Sequence, residues 1–69
     1  MLWLVNKESS HEIISCNIHD EAGVHQLWVT RPNGKSIKIR ENEDRAIVAE
    51  VKECIDYAIE NKESALRLD

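Results

Sequence analysis

"QLWVTRPNGKSIKIR", Gln26 to Arg40, holds two alternating apolar runs separated by Arg31-Pro32-Asn33-Gly34. Read as a β-hairpin it decides the fold, because the length of its loop sets which side chains share a face. Pro suits the second position of a type I turn, and Gly supplies the left-handed residue that follows. Together they favour a three-residue loop of Pro32, Asn33 and Gly34 with a G1 bulge. Such a loop sets Val29 opposite Ile37, Leu27 opposite Ile39, Trp28 opposite Lys38 and Gln26 opposite Arg40. Apolar then meets apolar, and polar side chains surround the tryptophan. A two-residue Asn-Gly loop would set Val29 against Lys38 and Leu27 against Arg40, spoiling the buried face.

Working outward, period-two patterning predicts strands at 2–6, 12–19, 24–31 and 35–40, mostly as a meander. With residues 20–23 as a polar loop, Cys16 faces Leu27, Ile14 faces Val29 and Ile18 faces His25. One face then collects Ile14, Cys16, Ile18, Leu27, Val29, Ile37 and Ile39 as the core. The other carries Ser15, Asn17, Gln26, Trp28, Thr30, Lys38 and Arg40, with Ile13 as the apolar residue beside the indole.

Residues 43–64 predict one helix, because Ile47, Val48, Val51, Cys54, Ile55, Ala58 and Ile59 recur at three- and four-residue spacing. Asn42 is its expected N-cap, with Glu43 and Asp44 in the first turn, where the helix dipole favours anions. No Gly closes the far end, so Leu66 and Leu68 in the 65–69 tail form either a frayed end or a second contact. The expected fold is α+β: a small antiparallel sheet of about four strands, then one C-terminal amphipathic helix on its apolar face, in a single domain of 69 residues.

A chain this short buries only roughly 60% of its unfolded surface, which makes self-association an expectation. Without Phe, the core falls to Ile, Val and Leu. The opening MLWLV is too short for a signal-peptide apolar region or a membrane span, so the expected location is cytoplasmic. Cys16 and Cys54 stand on apolar faces and read as two buried free thiols of a reducing compartment. The net charge of −4 is unevenly placed. Residues 1–40 carry five cations against four anions, whereas residues 41–69 carry four against nine.

Catalytic signatures are missing. Gly23 and Gly34 belong to turns and not to a phosphate-binding loop. Of His11, His19 and His25, alternation puts the last two on opposite faces, and no metal-ligand spacing occurs. Cys16 with His25 is the one conceivable nucleophile and base, yet adjacent packing positions explain both. The expectation is a protein that is not an enzyme, with no catalytic residue, metal or cofactor.

Two surfaces are left. Trp28, set between Lys38 and Arg40 with Gln26, Ser15 and Asn17, reads as a stacking platform for single-stranded nucleic acid. The plainer reading, which one aromatic with few cations favours, is an indole covered by Lys and Arg stems, or a face packed on a second subunit. The acidic helix is either a solvated surface or a partner-binding one.

The order of elements adds a resemblance. Met1-Leu2-Trp3-Leu4, a Gln-led strand, a Pro-containing turn, then Ile37-Lys38-Ile39-Arg40-Glu41 and a helix resemble the CsrA/RsmA carbon storage regulators of bacteria over most of residues 1–55. The resemblance implies a homodimer whose first and last strands interleave between subunits, binding GGA-containing RNA loops and controlling translation. The family's RNA contacts fall on Leu4, Val5, Asn6, Lys7 and Arg40, with Lys38 alongside; Asn6 stands where the family has Arg. The alternative expectation is a non-catalytic protein-binding module of phage or mobile-element type, acting through the Trp28 face or the acidic helix. A plainer one is an oligomerisation domain that pairs open strand edges.

Overall fold

The computed structural model describes residues 1–68. The fold is α+β, with the helix following five strands: β1 (Leu2–Val5), β2 (Ser10–Ile13), β3 (Ser15–Glu21), β4 (Val24–Thr30), β5 (Ser36–Asn42), α1 (Arg45–Glu60) and β6 (Ala65–Arg67). The strands form two three-stranded sheets, ordered β2-β1-β6 and β3-β4-β5. Leu2, Leu4 and Ile13 from the first sheet, Cys16, Leu27 and Val29 from the second, and Val48, Ile55 and Ala58 from the helix make one core.

The β4–β5 hairpin takes the loop read from Pro32-Asn33-Gly34. The Gly34 N–H donates to the Arg31 carbonyl at 2.9 Å and the Arg31 N–H to the Lys35 carbonyl at 2.7 Å. Gly34 sits at φ +87°, the left-handed conformation that a glycine adopts without a Cβ clash. Val29 pairs with Ile37 and Trp28 with Lys38, as the loop dictates. Beyond them a bulge at Ile39 shifts the ladder, so that Leu27 pairs with Arg40 and Gln26 with Glu41. The expected pairs Leu27–Ile39 and Gln26–Arg40 are thereby replaced.

The expected strand 12–19 is two strands of different sheets, parted by a bend at Ile14. The Ile14 N–H still donates to the Thr30 carbonyl at 2.9 Å, but the bend resets the alternation. Ile13 is therefore fully buried against Leu2, and Ile14 is 46% exposed, the reverse of the expected assignment. The next turn is shorter than the expected 20–23 loop. Ala22 (φ 51°) and Gly23 (φ 79°) form a two-residue turn with both residues left-handed, matched to the twist of the strands. Cys16 thus pairs with Val29, Ile18 with Leu27 and Asp20 with His25. Shortening the loop by two residues slides the register without exchanging the faces.

The helix starts later than 43. Asp44 is its N-cap, with Oδ1 accepting from the Ala46 N–H at 3.0 Å, while Asn42 Oδ1 accepts from the Asp44 N–H at 2.8 Å. Asn42 therefore shapes the approach, and no acidic residue occupies the first turn. At the other end the Glu63 N–H donates to the Ala58 carbonyl and the Lys62 N–H to the Ile59 carbonyl, a Schellman closure with Lys62 at φ 56° in the place usually held by Gly. This reversal sends residues 65–67 back as β6, which runs parallel to β1, with Leu66 beside Leu4. Val48, Ile55 and Ala58 are buried and Val51 and Ile59 half-buried, whereas Ile47 and Cys54 are exposed because the sheets cover only part of the apolar stripe. Cys16 is a buried thiol; Cys54 is not.

Candidate nucleic-acid cleft

A concavity of about 450 Å³ opens between the β1–β2 turn, β5 and Leu68. Its cationic groups come from both ends of the sheet half of the chain: Lys7 from the turn, Lys38 and Arg40 from β5. Leu4, Ile37 and Ile39 provide an apolar lining, and His11 and Ser9 complete the β2 side. Glu8 is the one carboxylate among the described residues of its wall.

Asn6 is what shapes the turn. Its Oδ1 accepts from the Glu8 and Ser9 N–H groups, both at 2.9 Å, while its own N–H donates to the Ser9 carbonyl. An Asn side chain satisfies a tight reversal in this way because it mimics a backbone acceptor. Lys7 rides at the tip of the turn that results.

Arg40 lines the cleft next to the bulge. In an unbroken ladder it would lie on the same face as Lys38 and Trp28, as the alternation predicts. The extra residue Ile39 instead sets it across from the inward-facing Leu27, where its Nη2 donates to the Leu68 carbonyl at 2.6 Å. Bulges commonly redirect a side chain in this manner. Lys38 stays outward opposite Trp28, with its Nζ 3.3 Å from Glu41 Oε2, and also lines the cleft, so the cleft and the Trp28 face meet at Lys38.

The residues expected to contact RNA therefore separate. Leu4, Asn6, Lys7, Lys38 and Arg40 share this one cleft. Val5 does not line it: alternation along β1 turns Val5 away from Leu4, beside Ser10 and Arg67. On the Trp28 face the indole is half-buried and its Nε1 donates to Gln26 Oε1 at 3.0 Å. His19 meets the indole edge-on, with ring centroids 6.2 Å apart. Ser15 lies further along the same face, paired with Thr30. The place of His11, Ser9 and Leu68 in this cleft is not legible in the sequence, because it depends on the β1–β2 hairpin and on β6. His11 is set beside Leu4 by the β1–β2 pairing.

The Cys16 and His25 pair is not assembled. His25 Nδ1 meets Asp20 Oδ1, and that hydrogen bond holds the Asp20 carboxyl below its usual range. The Cys16 thiol donates to Asp56 Oδ1 at 3.1 Å. Burial first, and the Asp56 carboxylate second, push the thiol up to about 12, so it stays protonated and poorly nucleophilic. Among the described residues no three His, Cys, Asp or Glu side chains converge as a metal site, and no helix is long and apolar enough to cross a membrane.

No protein-family model, curated protein or solved structure matches the chain.

Proposed function

We propose that the protein binds a single-stranded RNA loop in this cleft and acts on translation by covering the bound segment. The observation that carries the reading is the convergence of Lys7, Lys38 and Arg40 on one concavity beside a half-buried tryptophan. Phosphates suit the three cations, Arg40 offers a planar fork for a phosphate or a base edge, and Trp28 offers a ring edge for an unstacked base. Asn6 is a positioning residue for the turn that presents Lys7. The resemblance to the carbon storage regulators points to the same ligand class. A homodimer would set two such clefts on one RNA, multiplying affinity through effective concentration. Because β1 is flanked by β2 and β6 within the chain, strand exchange of the interleaved kind would have to displace β6.

The test is fluorescence anisotropy of a labelled hairpin with an unpaired GGA, against a scrambled hairpin, at two salt concentrations. Three neutralised phosphates correspond to a slope of about −2 in log affinity against log salt. Lys38→Gln with Arg40→Gln is expected to weaken binding and, by removing two of the three phosphate contacts, to flatten that slope by about 1.4. Salt-insensitive binding, or an unchanged double variant, overturns the assignment. Absence of binding to either hairpin would favour the protein-binding module.

A further inference from the structure

A second groove, of about 340 Å³, lies on the opposite chemistry. It runs between α1 and β6, with Cys54, Tyr57 and Leu66 on its floor and Glu50, Glu53 and Glu63 around it. No Lys or Arg lines it. It exists because the apolar stripe of the helix is wider than the sheets cover, leaving Tyr57 66% exposed and Cys54 open to solvent. The ion pairs of Asp20 with His25, Lys38 with Glu41 and Lys52 with Asp56 do not involve Glu50, Glu53 or Glu63. An apolar floor inside a ring of carboxylates complements a cationic, partly apolar ligand and repels a polyanion.

We propose that this groove is a docking site for a basic amphipathic peptide segment of a protein partner. An apolar side chain of the segment packs on Tyr57 and Leu66, and flanking lysines or arginines meet Glu50, Glu53 and Glu63. The apolar groove beside Met1 and Ile14 offers no such bias, because Lys62 and Glu63 offset one another at its wall. The two surfaces of the molecule then sort ligands by sign: anions at the Lys7, Lys38 and Arg40 cleft, cations here.

The probe is a fluorescein-labelled peptide, Lys-Leu-Leu-Lys-Lys-Leu-Leu-Lys, titrated with the whole chain, beside versions carrying Glu for Lys or Ser for Leu. Binding is expected for the Lys-Leu peptide alone. Glu50→Gln with Glu53→Gln should weaken it roughly five- to tenfold, in keeping with two rim charge pairs. Tyr57→Ala should weaken it about tenfold or more, as the loss of an aromatic anchor does. A matched removal of charge elsewhere, Glu21→Gln with Glu43→Gln, should change affinity by less than roughly twofold. Bound peptide should also slow alkylation of Cys54, followed by mass spectrometry. All these side chains are exposed, so the variants are expected to fold. The proposal is overturned if the matched pair weakens binding equally, if the Ser peptide binds as well, or if Tyr57→Ala changes nothing. It is also overturned if Tyr57→Ala turns a dimer into a monomer in sedimentation while peptide binding is absent, since the occupant is then a second copy. Failure of the RNA titration leaves this test untouched.

Discussion

Cys16 shows how one residue links burial to a measurable pH dependence. Its thiol is held near 12 against an ordinary 9.0, first by burial and then by Asp56. Below pH 9 both folded and unfolded chains keep the proton, so the group contributes no slope. Between about 9 and 12 the unfolded chain ionises while the folded chain does not, and stability falls as pH rises, by at most ~1.4 kcal/mol per unit. Urea unfolding from pH 7.5 upward, compared with Cys16→Ala, should show this part of the slope vanish in the variant. Asn6 allows a second test at the same scale. Asn6→Asp keeps the acceptor that closes the β1–β2 turn but adds an anion to the cleft wall. The unfolding midpoint should stay nearly constant while RNA affinity falls several-fold; an unchanged affinity would place the RNA elsewhere.

At the scale of elements, the β4–β5 hairpin was legible in the sequence because loop chemistry and alternation agree at Pro32-Asn33-Gly34. The other departures share a cause: a backbone feature without its usual marker. Ala22 occupies a left-handed turn position that normally signals itself by Asn, Asp or Gly, so the turn was read two residues too long. No Gly announces the bend at Ile14 or the bulge at Ile39, and each redirects the side chains around it. Ile13→Ala should cost about 2–5 kcal/mol because Ile13 is fully buried. Ile14→Ala should cost less than about 1 kcal/mol, a contrast that denaturant titration resolves and that an unbent strand would invert. Lys62 in the left-handed closure of α1 makes the complementary case: Lys62→Gly should raise stability by about 1 kcal/mol, measured the same way.

For the whole molecule, the division of charge is what the sequence already carried, and the folding of the tail is what it left open. The reversal after α1 returns Leu66 beside Leu4 and brings the Leu68 carbonyl to Arg40, so one edge of the cleft is built by the last residues of the described chain. Of the six residues first assigned to RNA, the cleft gathers all but Val5. The resemblance supplied Leu4, Val5, Asn6, Lys7 and Arg40 and the reading of the Trp28 face supplied Lys38, while the Asn6 turn explains physically how Lys7 is presented. A net charge of −4 opposes a polyanion at long range, so affinity must come from the local cations and must be sensitive to salt. The most direct measurement is a two-dimensional amide NMR titration with an unlabelled GGA hairpin. The account predicts shifts concentrated at Asn6, Lys7, Lys38, Arg40 and the Trp28 indole, with Glu50 to Tyr57 unmoved; shifts confined to α1, or none at saturating RNA, would contradict it.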